Sequence, residues 1–246
     1  MLLSLLLLSC NDYGINEKLS ADPIIAPDFI DFGHVRSGHE SGFRQIIFSN
    51  GGELPLEVDH IEVHGQRFDV DLEDFTVDAG SWHALDLTYT PQTYEFNEGH
   101  LDVYLKGQED PVSSVWFQGY GDAPVIEVDP AEHDFGPLSE DCDIDHEFAV
   151  TNVGNLDLVV NSLSELSTIP QQISINLGSL PPLPWTLPPQ ARIAFWTEFL
   201  AEGLPLHSLE IIVDSNDPLE PRKSILTTAE TMISTTMIES YTQGSI

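Results

Sequence analysis

The chain carries one stretch twice. Phe32-Gly33 and Asn50-Gly51-Gly52 in the first copy are answered by Phe135-Gly136 and Asn152-Val153-Gly154 in the second, 103 positions on for the Phe and 102 for the Asn. A repeat at that spacing within 246 residues restricts the chain to two successive copies of one domain, each of about 100 to 120 residues and large enough to bury its own core. More positions repeat at the same offset. Phe148 and Val150 stand where Ile46 and Phe48 stood, and Leu156, Leu158 and Val160 where Leu54, Leu56 and Val58 stood. Further on the offset becomes 110, pairing Phe75-Thr76 with Trp185-Thr186 and Tyr89 with Phe199. The second copy therefore carries an insertion of roughly eight residues within Ser162 to Pro184, which a loop accommodates at little cost.

The period of the apolar residues is two, the signature of half-buried strands. It is seen in Ile46 and Phe48, in Leu54, Leu56 and Val58, in Phe68, Val70 and Leu72, in Leu85, Leu87 and Tyr89, and in Leu101, Val103 and Leu105. Val115-Trp116-Phe117 closes the first copy. In the second, Leu209, Ile211 and Val213 precede a final strand at Ser224 to Thr228. Turn residues recur at roughly ten-residue spacing, and no long helical pattern is present. Asn50-Gly51-Gly52 reads as a hairpin turn, since Asn and Gly accept positive φ. The predicted class is all-β: two tandem immunoglobulin-like antiparallel β-sandwich domains. The predicted layout is a leader at 1–10, a polar tether at 11–22, sandwiches at 23–122 and 123–230, and a tail or the start of a further region at 231–246.

Eight Lys and Arg against 41 Asp and Glu give a formal charge of −33. Such a surface repels phosphates and anionic headgroups, which excludes nucleic acid as a partner and leaves the membrane reachable only through an anchor. Two cysteines, Cys10 and Cys142, are too few for a disulfide scaffold.

Met1 to Ser9 is a Leu-rich run ending at Cys10. It is shorter than the about 20 apolar residues of a membrane span and matches the core of a secretory signal. Leu7-Leu8-Ser9-Cys10 resembles a bacterial lipobox, although no Lys or Arg precedes the Leu run. The resemblance implies lipidation of Cys10, removal of the leader, and residence in the bacterial cell envelope. The alternative is a chance Leu-rich start with an ordinary Cys. Residues 11–22 lack apolar periodicity and, extended, reach about 40 Å.

A strand ending in Phe-Gly, an Asn-x-Gly turn followed by Leu-x-Leu, and Ser215-Asn216-Asp217-Pro218 before a last strand together resemble the choice-of-anchor D and ASH/hydin-like family of immunoglobulin-like domains. The resemblance covers about Pro23 to Thr228. The first copy departs from it at Gln108-Glu109-Asp110-Pro111. It implies noncatalytic modules with no cofactor. It also implies continuation into a further domain, such as one of von Willebrand factor A type; the alternative for 231–246 is a disordered tail.

Asp141, Asp143, Asp145 and Glu147 are the best metal candidates, because Ca²⁺ takes clustered carboxylate oxygens. His146 stands where an EF-hand loop needs Gly. The simpler account puts the acids on the solvent face of a strand whose core face holds Cys142, Ile144, Phe148 and Val150. Ser37, His39 and Glu40 lie in one turn and cannot converge as a catalytic triad. The other His residues show no ligand spacing. Leu180-Pro181-Pro182-Leu183-Pro184 reads as a rigid loop entering a strand. For Trp82, Trp116, Trp185 and Trp196, core packing is the default, and an exposed pair stacks on sugar in the alternative. No catalytic residue emerges. The expected function is a structural spacer or protein-interaction module, presenting a partner-binding surface or a downstream domain. Its rivals are an adhesin or carbohydrate-binding module and the noncatalytic N-terminal part of a larger secreted enzyme.

Overall fold

The computed structural model describes residues 19–71, 74–166, 172–178, 180–202 and 205–232. Cys10, Leu72 and the tail beyond Met232 lie outside them. Every element among the described residues is a strand. In the first half, β1 (Pro23–Ala26), β3 (Arg44–Asn50), β7 (Trp82–Tyr89) and β5 (Phe68–Val70) form one sheet in the order β1-β3-β7-β5. The facing sheet has the order β2-β9-β8-β4-β6, from β2 (Phe29–Arg36), β9 (Ser113–Asp122), β8 (Phe96–Leu105), β4 (Leu56–His64) and β6 (Thr76–Val77). This is the immunoglobulin arrangement: four strands in one sheet, and in the other a three-stranded antiparallel core of β9, β8 and β4. β2 joins the free edge of β9 in parallel.

The second half repeats the diagram strand for strand. β10 (Ile126–Asp129), β12 (Asp143–Asn152), β16 (Arg192–Leu200) and β14 (Ile173–Asn176) form the order β10-β12-β16-β14. β11 (Glu132–Ser139), β18 (Arg222–Met232), β17 (Leu206–Ser215), β13 (Leu158–Leu166) and β15 (Trp185–Leu187) form β11-β18-β17-β13-β15. Leu56 pairs with Val77 and Leu158 with Leu187, so the two offsets found in the sequence reappear as one structural register.

Each half has its own core. Ile46, Phe48, Leu87, Leu101, Val115 and Phe117 are buried in the first; Phe148, Phe195, Phe199, Ile211, Val213 and Ile225 in the second. At about 25 cal/mol per Å² of apolar surface, these facing sheets supply the main driving force for each sandwich.

Three sequence expectations change. The Asn-x-Gly stretch is no hairpin: β3 and β4 lie in different sheets, so it crosses between layers. Gly52 serves close approach, for a Cβ there would lie 2.1 Å from the Ser20 carbonyl oxygen, and one on Gly154 would lie 2.2 Å from that of Ala123. Asn50 is buried, with its amide bonded to the Leu54 and Val77 carbonyls at 2.8 and 3.0 Å. Second, β2 does not end at Phe32-Gly33. Gly33 has φ +64 at a bulge in the β2–β9 register, its N–H donates to Asp31 Oδ1 at 2.8 Å, and the strand continues to Arg36. Gly136, with φ +69, does the same beside Asp134. Third, the end of the tether is docked: the Ser20 and Asp22 carbonyls accept from Glu53 and Gly51, and Ala21 packs on the first core.

Candidate functional site

Strand alternation sends Leu101, Val103, Val115 and Phe117 into the first core and their neighbours onto the outer face of the β2-β9-β8-β4 sheet. Because the registers align, the outward side chains form rows across the strands. His64, His100, Trp116 and Phe29 stand opposite one another across four strands. Glu62, Asp102 and Ser114 form the next row, then His60 and Tyr104. On the other side of the His row lie Glu98, Gln118 and Asp31, followed by Phe96, Tyr120 and His34. Ring rows therefore alternate with acidic and amide rows.

The rings touch across the strands. His64 stacks on His100 with centroids 4.5 Å apart, and His100 lies 4.7 Å from Trp116. His60 stacks on Tyr104 at 4.3 Å, His34 on Tyr120 at 5.2 Å, and Phe96 tilts against Tyr120 at 4.8 Å. Phe29, Phe96 and Trp116 remain about half exposed, at 50, 47 and 55 %. The acidic row reaches into the rings. Asp102 Oδ2 lies 3.5 Å from His100 Nε2 and 3.7 Å from His64 Nε2, and Glu62 Oε2 lies 3.5 Å from His64 Nε2. Tyr104 donates its hydroxyl to Glu62 at 3.4 Å. Burial, then the Glu62 and Asp102 charges, hold that phenol above its ordinary pKa.

The second sandwich shows that the fold does not require this composition. The row equivalent to His64, His100, Trp116 and Phe29 there is Leu166, Glu210, Leu226 and Glu132. The row equivalent to Phe96, Tyr120 and His34 is Leu206, Glu230 and Pro137. One scaffold with one register carries rings on the first copy and acids with aliphatics on the second. The ring surface is thus a property of the first copy, beyond what the sandwich needs.

The residues singled out in the sequence are placed as follows. Cys10 lies outside the described residues. Asp141 sits in the turn before β12 with φ +71, and Asp143, Asp145 and Glu147 are exposed along β12. Their oxygens do not gather into a group of three within 4.8 Å, and Glu147 accepts from Arg192 at 2.7 Å. Cys142 and Ile144 are exposed, contrary to the expected core face: Cys142 stands in the turn, and burial on β12 begins only at Phe148. His146, between Asp145 and Glu147, is covered by the His133 ring at 3.4 Å. Ser41 Oγ accepts from the Tyr89 N–H and His39 Nδ1 faces the Ser37 carbonyl, so these groups serve a turn. The Pro run leads into β15, where Trp185 is buried and donates to the Pro181 carbonyl at 2.7 Å. The other three Trp depart from the core default: Trp82, Trp116 and Trp196 are 68, 55 and 37 % exposed.

The His cluster was missed because its members are scattered along the chain. The signal that finds it is alternation on the polar side of two strands already recognised by their apolar side: His60-x-Glu62-x-His64 and His100-x-Asp102-x-Tyr104.

No protein-family model matches the sequence, and no curated protein matches it. Among solved structures, the chain is similar to a protein of unknown function from Porphyromonas gingivalis W83, at 17% identity and TM-score 0.36 over 85% of this chain and 99% of that one. It is also similar to the ASH / PapD-like domain 7 of human CEP192, at 12% identity and TM-score 0.37 over 46% of this chain and 88% of that one. A third is the CupB2 chaperone of Pseudomonas aeruginosa, at 10% identity and TM-score 0.31 over 82% and 98%.

Proposed function

We propose that this chain is a noncatalytic cell-envelope lipoprotein of choice-of-anchor D or ASH/hydin-like type, anchored through Cys10, whose tandem sandwiches present a protein-interaction face. The observation that carries the reading is the ring surface on the outer face of the first sandwich, set against its absence from the same rows of the second. Exposed aromatic side chains favour association, since they bury large area at low entropy cost. The surrounding acids keep so acidic a chain soluble while the face stays open.

A photo-crosslinking residue placed at Trp116, and in parallel at Leu226, tests the face in cells. Adducts of discrete mass from position 116 alone are expected; equal adducts from both positions, or none, overturn it. The anchor is tested separately. Metabolic labelling with an alkyne fatty acid should mark the chain, and Cys10→Ser should abolish both label and membrane fractionation.

A second reading, carbohydrate binding, is favoured by one feature: Phe29, Trp116, Tyr120 and Phe96 are exposed on a single sheet face. Sugar rings stack on such surfaces. Retardation in glycan-containing native gels that is lost in Trp116→Ala would establish it in place of the protein partner.

A further inference from the structure

The face just described contains a second chemistry. His64, His100 and Asp102 each offer one ligand atom, and these three atoms lie within 4.8 Å of one another. Among the described residues they form the group of three or more His, Cys, Asp or Glu that meets this distance. We propose that His64, His100 and Asp102, with Glu62 as a fourth donor, bind a divalent first-row transition ion of the Zn²⁺ type.

The separations fit the ion. Metal–nitrogen and metal–oxygen bonds of about 2.0–2.1 Å at tetrahedral angles put neighbouring donors about 3.4 Å apart. Asp102 Oδ2 stands 3.5 Å from His100 Nε2 and 3.7 Å from His64 Nε2, and Glu62 Oε2 stands 3.5 Å from His64 Nε2. Glu62 lies outside the group of three that meets 4.8 Å and joins as the fourth donor only once its side chain turns toward Asp102 and His100.

The donors are also held in place. His64 and His100 are directly opposed on β4 and β8, which fixes their Cβ atoms about 5 Å apart. Next to them the two backbones come close, because Gly99 has no side chain; a Cβ there would lie 2.2 Å from the His64 carbonyl oxygen. Ser114 donates its hydroxyl to Asp102 Oδ1, which leaves Oδ2 turned toward the imidazoles. The Trp116 ring braces His100 from the other side. A bound ligand oriented by an outer hydrogen bond is the usual build of a metal site. Asp102 is only 14 % exposed, so its charge is partly withdrawn from water beside two nitrogens.

Donor type selects the ion. Two imidazoles with one or two carboxylates suit Zn²⁺, Ni²⁺ or Cu²⁺, whereas Ca²⁺ wants six or more oxygens. The equivalent rows of the second sandwich, Leu166 with Glu210 and Ser164 with Ile212, cannot build such a set.

The test uses the purified chain stripped with EDTA and titrated with ZnCl₂ in a calorimeter, with CaCl₂ in parallel. One tight Zn²⁺ equivalent is expected, undisturbed by excess Ca²⁺. His64→Ala and His100→Ala should each weaken it about tenfold or more, as loss of a site's supporting groups alone does. His83→Ala, which alters a ring stacked on Phe75 in the other sheet, should leave it unchanged. His64→Gln and His100→Gln, with the thermal midpoint measured on each, separate lost ligation from lost folding. Zn²⁺ should also displace the His64 and His100 ring resonances first. The proposal is overturned by the absence of a stoichiometric equivalent. It is equally overturned by binding that the double His64→Gln/His100→Gln variant retains, since that is adsorption to the acidic surface.

Discussion

The side-chain amide of Asn152 donates to the carbonyl of Leu187 at 2.8 Å, joining the end of β12 to the end of β15 across the two sheets. The same amide group donates to Leu156 at 2.8 Å, while its oxygen accepts from Gly154 at 3.0 Å and Val125 at 3.4 Å. Asn50 repeats the pattern with Val77, Leu54, Gly52 and Asp22. Both Asn are almost fully buried. Asn152→Ala strands two carbonyls and two N–H groups, each worth about 1–3 kcal/mol when buried without a partner. The expected loss is about 3 kcal/mol or more, read as a lower urea midpoint. Asn152→Asp keeps an acceptor for the Gly154 and Val125 N–H groups but turns a carboxylate oxygen toward the Leu156 and Leu187 carbonyls, which need a donor, so it should remain well below the parent.

That amide marks the boundary of what the sequence discloses. The offset between Asn50 and Asn152 is enough to infer a repeated domain, and alternation in Leu101, Val103 and Leu105 is enough to infer strands. The role of the Asn is not inferable from its neighbours, because its partners Val77 and Leu187 lie 27 and 35 positions away. The binding face was half legible for the same reason. Recognising the inward side of β4 and β8 also fixes the outward side, yet only the pairing of β4 with β8 brings His64 to His100. Cys142 failed differently: alternation does not carry past the start of β12 at Asp143 into the turn, and burial on the strand begins only at Phe148.

Two glycines should both lose stability on substitution by Ala but differ in whether Asn restores it. Gly136 has φ +69 and open space around it, whereas Gly154 is pressed against the Ala123 carbonyl. Gly136→Ala should cost about 1–2 kcal/mol from the left-handed backbone, and Gly136→Asn should recover most of it. Gly154→Ala should reach or exceed the upper end of the roughly 1–3 kcal/mol that overpacking costs, and Gly154→Asn should be no better. Chemical denaturation of the four variants checks this; recovery in Gly154→Asn would mean that Gly154 serves a left-handed backbone and not close approach to the Ala123 carbonyl.

The four Trp residues divide by exposure. Trp185 is 3 % exposed, with its indole N–H bonded to Pro181, and Trp185→Ala should cost about 3–5 kcal/mol. Trp116 lies on the outer face, and Trp116→Ala should stay within about 0.5 kcal/mol of the parent. Fluorescence should agree: only the buried indole shifts strongly on unfolding. A large loss of stability in Trp116→Ala would mean that the ring face is structural, which removes the basis for treating it as a binding surface.

The contribution of His133 to stability should fall in mild acid. Its ring stacks on His146 at 3.4 Å and meets Phe135 and Phe148 edge-on. Burial first, then the neighbouring His146, lower its pKa from the ordinary 6.5, while Asp134 alone works the other way. A depressed value means that the unfolded chain binds the proton more readily than the folded one, so stability rises with pH across the gap. The contribution is therefore intact above about pH 6.5, begins to fall below it, and is lost once the pH passes the folded-state value. His133→Phe keeps an aromatic ring against His146 but cannot take up a proton. Urea midpoints compared between about pH 7.5 and pH 5 should show the parent losing more stability than this variant. Parallel curves for the two proteins would show that the His133 ring is protonated as easily in the folded sandwich as in the unfolded chain.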